Sequence, residues 1–220
     1  MRAMLFGSKA PQSRSEIIAA ADQARSKGRL NKAIAGYRKA LELEPKDPVV
    51  HGKLAPLLAR AKQAEAALQS FQAAAQGHLD KGFADKALAV YAQAADTFPH
   101  NVKLWQQLSQ LNLSKGHRVD ALKTLLRGRL HFRRKDERRG AITLLQDVLA
   151  LDPTMFEVKL DLAVQLAGER HQAEAMALLN PLEREARDRR QLRRLRWALV
   201  RVAPSAGAWG RWVRAVALGR

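Results

Sequence analysis

Cysteine is absent from this 220-residue chain. That absence removes disulfides, thiolate metal sites, cysteine nucleophiles and any lipid anchor built on a thiol. Long apolar runs are missing too. Although 47% of the residues are apolar, no stretch approaches the roughly 18 residues that a membrane-crossing helix needs. The short apolar run near the start, Ala3–Phe6, is too small for the core of a secretory signal, so a soluble, cytoplasmic protein is expected. No segment alternates Val, Ile or Thr with polar residues in the way a half-buried strand does. Acidic residues are scarce, 21 against 39 Lys and Arg, and the formal charge is +18.

The signatures of catalysis are also missing. Six histidines, His51, His78, His100, His117, His131 and His171, are scattered along the chain. None has the H-E-x-x-H spacing that puts two imidazoles and a general base on one helix face. His51 and His78 fall at positions where packing residues are expected. His51-Gly52-Lys53 lacks the upstream glycine and the following Ser or Thr of a phosphate loop. G-x-S-x-G, G-x-G-x-x-G and paired carboxylates in an apolar stretch do not occur. No catalytic residue, metal ligand or cofactor is therefore assigned, and a non-enzymatic protein is expected.

What is abundant is Ala, Leu, Arg and Gln, all good helix formers, so the fold class is expected to be all-α. Prolines punctuate the chain evenly, with Pro45, Pro99 and Pro153 each 54 residues apart. Ahead of them stand Ala33-x3-Tyr37, Ala87-x3-Tyr91 and Ala141-x3-Leu145. Residues 46–99 and 100–153 align without a gap: Leu54 falls on Leu108, Ala67 on Ala121, Ala87 on Ala141. A small residue such as Ala121 allows two helices to approach closely, while Trp105 and Leu125 fill the space beside it. Pro153 cannot continue a helix and starts the turn to the next.

Trp105-x2-Leu108-Ser109, Gly116, Ala121-x3-Leu125 and the closing proline resemble the tetratricopeptide-repeat (TPR) signature. That family's units are typically about 34 residues and two helices, so a 54-residue period suggests three helices per unit, the middle one read in two registers. The resemblance covers about residues 14–179. It implies an α-solenoid, a right-handed superhelix of antiparallel helices, about twelve in all.

Taken in order, residues 1–13 read as a flexible leader and 14–204 as the repeat array. A helical pair, Arg14–Lys27 and Leu30–Leu43, turns at Gly28. The first three-helix unit is expected at Val49–Ala61, Ala64–Asp80 and Ala84–Thr97, with Pro56 kinking its first helix. The second is expected at Val102–Ser114, Arg118–Phe132 and Glu137–Leu151. A third, degenerate unit carries Leu162-Ala163 and Ala175-x3-Leu179, with Pro181 interrupting its middle helix. Residues 205–220 form a capping helix whose stripe of Trp209, Trp212, Val213 and Val216 either covers the open end of the array or lies on a membrane surface. The cover is the simpler reading.

The charge is uneven. Residues 1–117 carry +8, 118–139 carry +6, 140–183 carry −5 and 184–220 carry +9. On a helix from Arg118 through Phe132, continued to Lys135, Lys123, Arg127, His131 and Arg134 would lie along one face. Further on, Arg190, Arg194, Trp197 and Arg201 share a face. Such stripes either contact a polyanion, nucleic acid or an anionic membrane, or form a solvated face whose arginine stems cover apolar surface. Solvation accounts for them without any ligand. The preponderance of Arg over Lys points to a GC-rich bacterial genome.

In the family resembled, first helices line the surface that binds a peptide or helix of a partner protein. Carried over, that surface would use Ser15, Ile18, Asp22 and Arg25 in the initial pair, and Lys103, Gln106, Gln107 and Gln110 in the best-matching unit. The subgroup that clamps a chaperone C-terminal carboxylate uses Lys and Asn at set first-helix positions. Ile18 and Asp22 stand there instead, which excludes that mode. The expected function is an interaction scaffold in a multi-protein assembly, with an acidic partner surface possible; polyanion binding through the arginine-rich helices is the alternative.

Overall fold

A computed structural model describes residues 13–217. The proposed leader, apart from Ser13, and the last three residues lie outside them. The described chain is helical, with no strand: α1 (Arg14–Ser26), α2 (Leu30–Leu43), α3 (Pro48–Arg60), α4 (Ala64–Asp80), α5 (Ala84–Thr97), α6 (Val102–Ser114), α7 (Arg118–Arg129), α8 (Arg138–Leu151), α9 (Phe156–Gly168), α10 (Gln172–Leu179), the single turn α11 (Leu182–Glu185), α12 (Arg189–Val202) and α13 (Ala206–Ala217). A 3-10 turn at Lys135–Glu137 precedes α8. The fold is of the α-solenoid class. The thirteenth helix, beyond the twelve expected, is the fragment α11 behind Pro181. The chain divides into two units, residues 1–97 and 98–220. The division falls within two residues of Pro99, where the first 54-residue period closes.

In the first unit, each helix folds back on its predecessor through connections of three or four residues, α1 against α2, α2 against α3, α3 against α4 and α4 against α5. Ser13 starts α1 with a reciprocal capping box to Glu16. Asp47 caps α3 by accepting from the amides of Val49 and Val50, with Pro48 at the first helical position. The core is a ladder of small and large side chains in which Ala33, Tyr37, Ala67, Phe71, Ala74 and Ala87 are all fully buried. Alanines at these crossings let backbones approach while aromatic rings fill the flanking volume, giving the dense packing of a protein interior. Helix α3 runs on past Pro56.

The second unit repeats the plan, and the repeat extends to single hydrogen bonds. Asn101, 54 residues after Asp47, caps α6. The Trp105 ring nitrogen donates to the Pro99 carbonyl at 2.9 Å. At the matching position in the first unit, His51 Nε2 lies 2.9 Å from the Pro45 carbonyl. The turns inside the pairs place left-handed residues at Lys62, Gly116 and Arg170, with φ of 60°, 79° and 69°, and these again are 54 apart. Gly28 and Gly82, at 69° and 76°, lie 34 residues before Lys62 and Gly116. The period is thus a 34-residue pair plus one further helix. Buried positions follow suit: Leu54, Leu108 and Leu162; Ala67, Ala121 and Ala175; Phe71, Leu125 and Leu179.

Helix α7 is shorter than its apolar pattern predicts. It ends at Arg129, and Phe132 turns inward, where it is buried at a point on α8 that only a glycine allows; a Cβ on Gly140 would sit 2.4 Å from its ring. Trp105 lies fully buried against the α7 backbone at Gly128, where a Cβ would come within 2.6 Å of the indole. His131 stacks on the Trp105 ring at 5.5 Å between centroids. The continuous basic stripe is therefore corrected: Lys123 and Arg127 share a helix face, but His131 and Arg134 follow the helix end. Arg134 instead stands in the exposed loop beside Asp136, at 3.5 Å.

Candidate functional site

Helices α6 and α8 leave a cleft of about 440 Å³ between them in the second unit. Its rim is polar, formed by Gln106, Gln107, Gln110 and Asp147, and its floor includes Leu113, Leu125 and Leu151. Gln106 is held in place, donating to Asp147 at 2.8 Å. Gln107, half-buried rather than exposed as the sequence suggested, and Gln110, exposed, have no hydrogen-bond partner within the described residues. A primary amide carries two donors and an acceptor, so this pair can meet the N–H and C=O groups of a bound backbone while the leucines take its side chains. Lys103, one turn earlier, is exposed. Three of the four residues expected on α6 thus come together, and Asp147 joins them. Asp147 was missed because it sits on a third helix, outside the two-helix pattern used to choose surface residues.

The initial pair behaves differently. Ser15 and Arg25 on α1 are exposed, and Ile18 and Asp22 are half-buried. Asp22 accepts from the Tyr37 hydroxyl at 2.6 Å and from Lys53 Nζ at 2.8 Å, and Arg25 lies 3.5 Å away. Burial pushes its carboxyl up, but the hydrogen bonds from Lys53 and Tyr37, with the Lys53 charge, outweigh that and hold it below the ordinary carboxylate range. Burial, and Asp22 beside it, push the Tyr37 phenol up. The polar centre of this face is spent on the protein's own side chains.

A larger hollow, about 770 Å³, lies between α7, α9 and α12. Lys123 and Arg127 reach it from one side, and Arg194, Trp197 and Arg201 from the other, so five of the seven residues expected to contact anions converge there. Its acidic side is α9. Asp161 pairs with Arg129, and Glu157 meets Arg194 at 2.8 Å. Arg127 also stands over the Trp105 ring, 5.6 Å from its centroid. Arg201 makes no ion pair among the described residues. Arg190 sits outside the hollow, beside Trp197 and Trp212, and Arg134, in the loop after α7, does not line it. The hollow's own carboxylates offset part of its positive charge. No group of three or more His, Asp or Glu side chains suited to hold a metal occurs among the described residues.

Residues 21–62 match the family model described as TPR repeat. No curated protein matches the chain. Solved structures that it resembles include a tetratricopeptide repeat protein from Parabacteroides merdae ATCC 43184, 17% identical over 96% of this chain and 94% of that one, with a TM-score of 0.34. Another is pilF of Pseudomonas aeruginosa, 15% identical over 94% and 93%, TM-score 0.27. A third is the TPR2AB domain of yeast Sti1 in its complex with pHSP90, 17% identical over 94% and 92%, TM-score 0.35.

Proposed function

We propose that this chain is a tetratricopeptide-repeat protein, a reading supported by its family match over residues 21–62 and by the same small–large helix packing repeated beyond them, and that it is a cytoplasmic, non-enzymatic scaffold holding a segment of a partner protein in the α6–α8 cleft. One observation carries this reading: Gln107 and Gln110 stand without internal partners above an apolar floor. Half-buried Gln107 and exposed Gln110 leave their amides free to exchange water for the polar groups of a ligand. A peptide main chain supplies alternating donors and acceptors at a suitable spacing. Because the contacts are amide hydrogen bonds and leucine packing, binding should tolerate raised salt.

The test is capture of partners from the native cell by wild-type protein and by a Gln107→Ala, Gln110→Ala double variant, at low and high salt. Retention of a partner by the wild type at high salt, lost in the double variant, is the expected result. A partner bound equally by both proteins would place its site elsewhere, and one lost merely on adding salt would refute the amide-and-leucine mode.

A further inference from the structure

The C-terminal helices present a surface that the scaffold reading does not use. Residues 189–217 contain eight arginines and no Asp or Glu. On α13, Trp209, Val213 and Val216 follow the i, i+4, i+7 spacing of one helix face, and they are 46%, 51% and 51% exposed. A helix serving only as a cover would bury that face. Here its inner edge alone is covered: Ala208 is buried, and Trp212 packs on Trp197 of α12 at 5.2 Å between centroids. Trp209 stands edge-on to both rings, at 6.3 Å from Trp197 and 5.8 Å from Trp212. Beside this cluster, Arg190, Arg193 and Arg194 wall a shallow hollow of about 380 Å³ floored by Trp197 and Trp212. Among the described residues Arg190 and Arg193 make no ion pair, and Arg194 is shared with Glu157.

We propose that this α12–α13 surface docks on an anionic lipid bilayer, with Val213 and Val216 entering the acyl boundary, the tryptophans at the headgroup level and Arg190, Arg193 and Arg194 on lipid phosphates. Each part matches a different layer of the membrane. Indole rings favour the interface because one edge is apolar and the N–H is polar. Valines exposed between arginines have no role on a nucleic acid backbone but gain from the acyl region. Uncompensated arginines meet the negative surface potential of acidic lipids. No helix among the described residues is long and apolar enough to cross a membrane, so the contact lies in the plane of the interface. The proposal stands apart from the α6–α8 cleft and does not depend on it.

The experiment is co-sedimentation of the full chain with phosphatidylcholine vesicles, with and without phosphatidylglycerol, together with tryptophan emission and acrylamide quenching. Trp105 is fully buried, so changes in quenching report the other three indoles. The expected result is binding to the acidic vesicles alone, a blue shift and protection from acrylamide. Arg190→Glu with Arg193→Glu should weaken binding by well over tenfold, since each arginine near such a surface is worth about fivefold. Val213→Asp with Val216→Asp should remove it while leaving circular dichroism unchanged. Gln107→Ala with Gln110→Ala should leave it intact. Absence of binding to acidic vesicles, or unprotected tryptophans in the wild type with vesicles present, overturns the proposal. So does RNA binding as tight as vesicle binding and indifferent to the two valine changes.

Discussion

Helices α3 and α6 are two copies of one design, and the difference between them sets the candidate cleft apart. With the 54-residue offset, Gly52, Lys53 and Pro56 on α3 correspond to Gln106, Gln107 and Gln110 on α6. On α3 the first has no side chain, the second is bound to Asp22 at 2.8 Å, and the third has no N–H to offer. On α6 all three are amides, and two are unspent. The third copy, α9, puts Asp161 at the middle position, and Arg129 neutralises it. At one place in the repeat, then, the first unit and α9 use an ion pair for stability, and α6 uses a neutral amide that remains available. The repeat's shared geometry supplies the groove, and the departure from its charge supplies the amides on which the proposed binding rests.

The largest effect should come from breaking the shared ring-to-proline hydrogen bond. Trp105→Ala removes a fully buried indole that fills the space against Gly128; truncations of this kind typically cost about 3–5 kcal/mol. His51→Ala, its counterpart, loses a half-buried ring and one hydrogen bond to Pro45, about 1 kcal/mol. Urea midpoints for the two variants would measure the contrast. Equal losses would mean that the Trp105 site is not the packing centre of the second unit.

Overpacking comes next. Ala121→Leu puts extra atoms into a crossing with no exposed surface, where Ser109 also donates to the Ala121 carbonyl at 3.2 Å. The expected cost is about 1–3 kcal/mol. Gln107→Ala should stay within about 0.5 kcal/mol, so a large loss from it would show that the amide is structural and sink the cleft assignment.

Most of the fold was legible because solenoid packing is local: within each unit the helices meet chiefly their sequence neighbours, so periodic small and large residues dictate both the helix ends and the contacts. Helices α2, α4, α5 and α6 begin and end where the pattern places them. The pattern failed where a side chain is recruited across helices. Phe132 continues the helical periodicity, yet packing into the notch at Gly140 ends α7 early. Asp22 reads as a surface carboxylate, yet Tyr37 and Lys53 lie beside it only once α2 and α3 are folded back. The convergence of Lys123, Arg127, Arg194 and Arg201 on one hollow has no sequence signal at all, because α7 and α12 are brought together by α9.

The ion pairs sharpen the comparison of the two units through pH. Asp161→Ala strands Arg129, mostly covered from solvent, and should cost about 1–2 kcal/mol after allowance for partial exposure. In the first unit, the Asp47 carboxyl is raised by burial but lowered further by Arg14 and by the amides of Val50 and Val49, like Asp22 by its own partners. Burial, with Lys86 and Lys81 nearby, pulls the His78 imidazole down. A depressed histidine favours the folded state above the ordinary value of about 6.5 and loses that contribution as pH falls through the folded value. The depressed carboxylates contribute above about 3.9 and lose it as pH falls through their own folded values. Urea titrations should therefore show a first loss just below neutrality and a second in strong acid. His78→Leu should remove the first alone; an unchanged first loss would refute His78 as its source.

The smallest effect concerns the turns, where the three-fold pattern of left-handed residues is met by Lys62, Gly116 and Arg170. The backbone there has φ near +60° to +80°, a region in which a Cβ crowds the following carbonyl and which glycine enters freely. Lys62 and Arg170 hold it because hydrogen bonds close the turn on both sides: the Lys62 amide donates to Ala59 and the Gln63 amide to Leu58, as Arg170 does to Ala167 and His171 to Leu166. Substituting Lys62→Gly relieves the crowding but frees the unfolded chain, so the two effects partly cancel. The relief should win by about 0.5 kcal/mol, because backbone strain of this type is worth about 1 kcal/mol or more and the Lys62 side chain is exposed. Gly116→Ala should go the other way by a similar amount; its added Cβ would meet nothing within 4 Å, which leaves the backbone as the sole cause. If thermal melting showed both variants destabilised alike, the lysine would have to contribute a contact that the turn geometry does not include, and the three turns would not be equivalent.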